Sequence, residues 1–215
     1  FNLEMGAEQL ANRIISSLGQ IEGYKLRTGK MLNTDWKRFD QAVSRLDNSK
    51  LYIDDTPGIT IGEIRAKCRR LASSPDGLDL VIIDYLQLIS GGKNYGANRQ
   101  QEVADISRSL KTLAMELHIP VIALAQLSRS VEGREDKRPM LSDLRESGSI
   151  EQDADLVGFL YRDDYYNKEA KNDATSISEF IIAKHRAGPQ ATIQLLFKKD
   201  TSTFLNMSKN EIEEE

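Results

Sequence analysis

Three polar residues stand where an apolar run ends: Glu4 after FNL, Asp84 after LVII and Gln126 after VIALA. Strands buried on both faces read as near-continuous apolar runs, and in a parallel sheet their carboxyl ends share the edge where ligands bind. Two carboxylates and a neutral amide are therefore expected on one edge, although they are far apart along the chain. One acid that holds a magnesium ion through water, a second that polarises the attacking water and an amide that feels the γ-phosphate make up a set suited to nucleoside triphosphate hydrolysis. Singly, each has a plainer reading: Glu4 as an acid favoured at a helix start, Asp84 as a turn residue.

The elements that must hold these residues follow from hydrophobic period. GAEQLANRIISSLG places Ala7, Leu10, Ala11, Ile14, Ile15 and Leu18 on one helical stripe, with Gly19 as its stop. NTDWKRFDQAVSRL repeats the spacing with Trp36, Phe39, Val43 and Leu46, and KLYIDD reads as a short strand. Thr60 and Glu63 form a capping-box start for a helix striped by Ile61, Ile64, Cys68 and Leu71. LDLVIID is expected to be an interior strand covered on both faces. SGGKNYGANRQ reads as a surface loop, with Tyr95 open to base stacking or to no role at all. A helix from about Gln101 to His118 and the strand PVIALAQ follow. SRSVEGREDKRPM has no period, and its mixed charges read as a solvated loop. DLVGFLYR, SEFIIAKHR, ATIQLLFKK and TFLNM close the chain as strands, the last as hairpins. Alternating strands and helices followed by a strand meander predict an α/β fold, a mainly parallel sheet flanked by helices with antiparallel C-terminal strands.

Bulk properties narrow the class. The chain has 215 residues, 40% hydrophobic and 29% charged, as in an ordinary globular protein with a real core. One cysteine, Cys68, excludes an internal disulfide framework, and with two histidines leaves too few ligands for structural zinc. No long apolar span and no signal peptide are visible, so the expected location is cytoplasmic, with no membrane. A net charge of −4 advertises no nucleic-acid binder in bulk. DNA contact would then come from local basic loops or a surface repeated around an oligomer.

Taken in order, FNLEMG, LVIIDYLQLI, VIALAQLSR, LRESGSIEQDADLVGFLYR and KHRAGP resemble the C-terminal motor domain of DnaB-type bacterial replicative DNA helicases, RecA-like hexameric ATPases. The resemblance runs from Phe1 to about Met207, followed by an acidic tail over residues 208–215. It implies ATP and Mg2+ as cofactors, with Glu4 as the catalytic glutamate, Asp84 as the Walker B aspartate and metal residue, and Gln126 coupling nucleotide state to DNA. It also implies that Lys184 and Arg186 reach a neighbouring subunit's nucleotide, Arg186 as arginine finger. Arg145, Glu146 and Gly148 would lie on a loop contacting the backbone of single-stranded DNA. A homo-hexamer moving 5′ to 3′, with primase and a helicase loader as partners, completes the implied picture.

The chain departs from that pattern in one respect. A phosphate loop needs G-x-x-x-x-G-K-[ST], and the nearest stretch, GYKLRTGKM, puts five residues between Gly23 and Gly29 and Met31 in the hydroxyl position. The loop is expected upstream of Phe1 in a longer parent, so that this stretch alone would be marginally stable and would not hydrolyse ATP. The alternatives are a RecA-like recombinase, or a non-catalytic DNA-binding or assembly module should the parent have no phosphate loop.

Overall fold

The computed structural model describes residues 1–92, 98–144, 148–166 and 174–207. Its elements, in chain order, are α1 (Ala7–Gly19), α2 (Gly23–Thr28), α3 (Asn33–Asp47), α4 (Ile61–Ala72), β1 (Val81–Ile83), α5 (Arg99–Leu117), β2 (Val121–Ala123), α6 (Gly148–Asp153), β3 (Leu156–Tyr161), α7 (Asp163–Tyr166), β4 (Thr175–His185), β5 (Ala191–Lys198) and β6 (Thr203–Asn206). They fall into two compact units, one of Phe1–Ala7 with Tyr52–Val157, the other of Glu8–Leu51 with Gly158–Glu215.

The first unit is built on parallel pairing. β1 and β2 run side by side with Val81, Ile82 and Ile83 opposite Val121, Ile122 and Ala123. Its core joins Ile64 and Cys68 of α4, Val81 and Ile83 of β1, and Val103, Ile106, Leu110 and Leu113 of α5. Thr60 caps α4 as expected, accepting from the Glu63 N–H while the Glu63 carboxylate accepts from the Thr60 N–H at 2.8 Å. Arg69 binds Glu116 of α5 through two nitrogens at 2.6 and 2.8 Å, holding the two helices together.

Three expectations change here. The strand ending at Asp84 is covered on one face only: Val81 and Ile83 point into the core, whereas Leu80 and Ile82 remain 42% and 49% exposed. KLYIDD forms no ladder of its own, although the Asp54 carbonyl accepts from the Asn2 N–H at 2.9 Å. The charged stretch after β2 is partly structured: it contains a short 3₁₀ turn, Arg129–Gly133, and a second, Leu141–Asp143, follows it directly. Arg134 grips the nearly buried Asp143 with both terminal nitrogens at 3.2 and 2.8 Å and also donates to the Arg138 carbonyl. A bidentate fork on a buried carboxylate is an internal clamp, so Arg134 is spent on the loop itself.

In the second unit β3, β4, β5 and β6 form one sheet in that order. β4 and β5 pair antiparallel from Thr175–Lys198 to Ile182–Ala191, and β5 and β6 pair antiparallel through Phe197–Phe204. GYKLRTG is a helical turn ending at Gly29, whose φ of 70° suits a glycine stop. It is no phosphate cradle. The helix α3 forms as its period predicts, with Phe39 and Leu46 of the stripe half-buried, but its inner face is rotated away from Trp36 and Val43. Asp35 and Ala42 are the buried residues, each 1% exposed, while Trp36 is 49% exposed. Asp35 tolerates burial because Arg38 contacts it at 2.5 Å and the Leu32 N–H donates to it at 3.1 Å. A charge with such partners can displace a tryptophan from the inner face.

Gly158 of β3 lies under the Phe180 ring, and a Cβ built there would meet that ring at 2.5 Å. Gly158→Ala should therefore force Phe180 from its rotamer and destabilise the protein by about 1–3 kcal/mol, read as a lower denaturation midpoint in urea.

Candidate nucleotide site

The edge forecast from the three apolar runs exists in the first unit, and backbone pairing makes it. Phe1 to Leu3 run parallel to β1: the Phe1 nitrogen donates to the Ile82 carbonyl at 2.7 Å, the Asp84 N–H to the Phe1 carbonyl at 2.8 Å, and the Leu3 N–H to the Asp84 carbonyl at 2.6 Å. Asn2 and Asp84 are thereby paired residues of a parallel bridge. On the other side of β1, the Leu124 N–H donates to the Ile83 carbonyl and the Leu86 N–H to the Leu124 carbonyl, both at 2.9 Å. Glu4, Asp84 and Gln126 thus leave adjacent strands at the same end. Glu4 and Gln126 are exposed there and Asp84 is half-buried.

The turn that carries Glu4 is held at both ends. On the entering side the Asn2 N–H is bound by the Asp54 carbonyl, and the Asn2 side-chain oxygen accepts from the Met5 N–H at 3.4 Å. On the leaving side the Asp55 carboxylate accepts from the N–H of Ala7, the first residue of α1, at 2.8 Å. A carboxylate on an orphan helical N–H stabilises through both the hydrogen bond and the helix dipole. Reading by period alone passes over Asp55. The signal available was a third acidic strand exit, YIDD, beside FNLE and VIID.

Asp54 completes the support from below. It pairs with Lys67 of α4 and accepts from the Thr56 hydroxyl at 2.6 Å and the Thr56 N–H at 3.1 Å. Burial pushes its carboxyl up, but Lys67 and the two Thr56 bonds outweigh that and hold its pKa at about 2.

A dedicated metal cage is not part of this edge. Among the described residues no three His, Cys, Asp or Glu side chains gather around a common point. A magnesium ion shared with phosphates needs only one or two carboxylates, its remaining positions going to water and phosphate oxygens. Asp84 fits that donor set, with hard oxygen chemistry at a strand end.

The other residues singled out in the sequence lie elsewhere or fall outside the description. Lys184 lies one residue before the end of β4, His185 ends the strand, and Arg186 opens the turn toward β5. These three belong to the second unit. The His185 ring lies over Gly188, with Nδ1 3.4 Å from the Pro189 carbonyl, as befits a strand-end polar residue without a catalytic part. Gly148 opens α6, which is tied to α5 by the Ser107 hydroxyl donating to Asp153 at 2.8 Å. Arg145, Glu146, Tyr95 and the acidic tail lie outside the described residues. Cys68 is a buried core thiol. No helix among the described residues is long and apolar enough to cross a membrane.

An ATPase-like strand edge on a parallel α/β core, followed by an antiparallel meander, is an arrangement with known relatives. The chain matches the family model of the DnaB-like helicase C terminal domain over residues 1–206, and it belongs to that family. It is 57% identical over 209 residues to the replicative DNA helicase DnaC of Bacillus subtilis (strain 168), covering 97% of this chain and 45% of that protein. The replicative DNA helicase DnaB of Geobacillus stearothermophilus gives the same figures. This chain therefore spans about half the length of the curated relatives it matches. Among solved structures, one of a DnaB-like replicative helicase and its interactions with primase superposes with a TM-score of 0.89 at 44% identity, covering 96% of this chain and 51% of that one. A solved ATPase domain gives a TM-score of 0.88 at 44% identity, covering 96% and 73%.

Two outcomes follow from this support. Because the Asp54 carboxyl is depressed from about 3.9 in an unfolded chain to about 2, its contribution is complete above about pH 4 and is lost as pH falls through about 2. With both partners partly exposed, Asp54→Asn should cost about 1 kcal/mol at pH 7 and almost nothing near pH 2, in denaturation series at the two pH values. Asp55→Ala should remove an N-terminal cap worth about 1 kcal/mol and speed amide exchange at Ala7, whereas Asp55→Asn, which keeps an acceptor, should restore most of the protection.

Proposed function

We propose that this chain is the motor portion of an ATP- and Mg2+-dependent replicative DNA helicase. The observation that carries the reading is the meeting of Glu4, Asp84 and Gln126 at one sheet edge, in a chain that keeps 57% identity over 97% of its length to a replicative helicase. The rest of such a protein supplies the phosphate-binding loop. In this reading it works as a homo-hexamer in the cytoplasm, moves 5′ to 3′ on single-stranded DNA and excludes the other strand. Primase and a helicase loader are its partners.

The residues divide the work. Asp84 would hold Mg2+ through water; the ion, when bound, neutralises charge on the phosphate oxygens. Glu4 would accept a hydrogen bond from the attacking water and orient it toward the γ-phosphorus. Lys184 and Arg186, carried by the hairpin end of β4, would come from the adjacent subunit and stabilise the charge on the phosphoryl group in flight. An arginine supplied in this way is worth about 10³–10⁵ in rate and makes hydrolysis depend on ring assembly. Arg145 through its guanidinium, and Glu146 and Gly148 through backbone N–H groups, would contact the phosphates of the single strand, a grip indifferent to base identity.

In the full-length ring, Glu4→Gln should lower turnover by about 10²–10⁴, and Arg186→Ala by about 10³ or more, while both keep nucleotide affinity close to wild type. Steady-state hydrolysis combined with fluorescent-nucleotide titration reads both quantities. Loss of nucleotide affinity in Arg186→Ala would remove Arg186 from the finger role. Arg145→Ala should weaken single-strand binding equally on all sequences, and a base-dependent defect would contradict a phosphate contact.

A further inference from the structure

The β1–β2 ladder ends one step before Gln126, and a side chain supplies the next rung. The last backbone bond is from the Leu86 N–H to the Leu124 carbonyl. Beyond it, the Gln87 carboxamide meets the main chain of Gln126 with both ends: Oε1 accepts from the Gln126 N–H at 3.1 Å, and Nε2 donates to the Gln126 carbonyl at 3.2 Å. Only one orientation of the amide satisfies both contacts, since a backbone N–H must face the oxygen and a carbonyl must face the NH₂. The main chain of Gln126 is fixed by this bracket, while its side chain stays at the exposed sheet edge.

Gln87 is itself held. Its carbonyl accepts from the Arg99 guanidinium, Arg99 also pairs with Glu102, and the Glu102 carboxylate accepts from the Gly91 N–H at 2.7 Å. Between Asp84 and Gln87 lies only Tyr85 and the start of the short 3₁₀ turn Leu86–Leu88. Two residues therefore separate the Asp84 end of the strand from the carboxamide that grips Gln126. A contiguous chain of packed backbone and hydrogen bonds of this kind is a physical route for coupling.

We propose that Gln87 is a positioning residue for Gln126, which transmits the state of the Asp84 end of the nucleotide site to the segment that follows β2. The inference rests on the functional reading given above. It assigns Gln87 no contact with nucleotide or DNA, so its effect falls on the coupling between the two ligands.

The test measures ATP turnover by the full-length ring with and without oligo-dT, in wild type, Gln87→Met and Gln87→Glu. Methionine keeps the length of the side chain and removes both hydrogen bonds; glutamate keeps the acceptor and loses the donor. The expected result is that Gln87→Met lowers DNA stimulation at least about fivefold, within the usual range of coupling between sites, with KM for ATP within about twofold of wild type. Gln87→Glu should fall between the two, and amide exchange at Gln126 should follow the same order. Full DNA stimulation in Gln87→Met overturns the proposal. So does a large rise in KM for ATP in either variant, which would put Gln87 in nucleotide binding itself. A wild-type ring without ATP turnover would instead sink the helicase reading, a result distinct from either.

Discussion

Everything at the candidate site depends on three residues lying flat between two neighbours. Phe1 and Leu3 bond to the strand of β1 and Asp84 on one side, and Asn2 between them bonds to the Asp54 carbonyl on the other. Strand pairing fixes more than position, because a slip of one residue turns every side chain to the opposite face. With the register set, the direction of the Glu4 turn relative to Asp84 follows from backbone geometry and needs no specific contact by the Glu4 side chain. The carboxylate can stay exposed and available for water, while main-chain bonds do the positioning.

Several of the 29 basic residues are engaged in pairs within the first unit. Lys67 is bound to Asp54, Arg69 to Glu116, Arg99 to Glu102 and Gln87, and Arg134 to Asp143. Lys67, Arg99 and Arg134 are each partly buried against a carboxylate or carbonyl, whereas Arg69 and Glu116 meet on an exposed face between α4 and α5. The chain is slightly acidic overall, and a count of basic residues would say little about which surface meets a phosphate. Position on the sheet edge is the better guide.

Period and capping made the skeleton legible. Alternation or continuity of apolar residues located β1 and β2, the 3.6-residue stripe located α1, α3, α4 and α5, and Thr60 with Glu63 marked one helix start to the residue. The placement of Glu4, Asp84 and Gln126 on one edge followed from strand ends alone. What stayed hidden were partners distant in sequence: Asp55 for the Ala7 N–H, Gln87 for Gln126, Arg134 for Asp143. Each uses a residue type that is ordinary on a solvated surface, and only the tertiary fold shows what it faces. The inner face of α3 was hidden for a related reason. Apolar period pointed to Trp36, and no local pattern announces that Arg38 and the Leu32 N–H make Asp35 the better residue to bury. The helical turn at Gly23–Thr28 resembled a phosphate loop in letters only, since nothing in it follows a strand.

The half-covered face of the parallel pair has a practical consequence. Ile82 of β1, with Leu80 just before that strand, and Ile122 of β2, with Leu124 just after it, are all between 42% and 49% exposed, and the paired register sets Ile82 directly beside Ile122. Four branched aliphatic side chains on neighbouring strands make a continuous oily ribbon, the kind of surface through which proteins associate or aggregate. Handled as a separate 215-residue polypeptide, the molecule would carry that ribbon into solution. Its colloidal behaviour, with dye binding, concentration-dependent self-association and salting-out at modest ionic strength, would then be governed by an apolar strip that stops two residues short of Asp84 and Gln126.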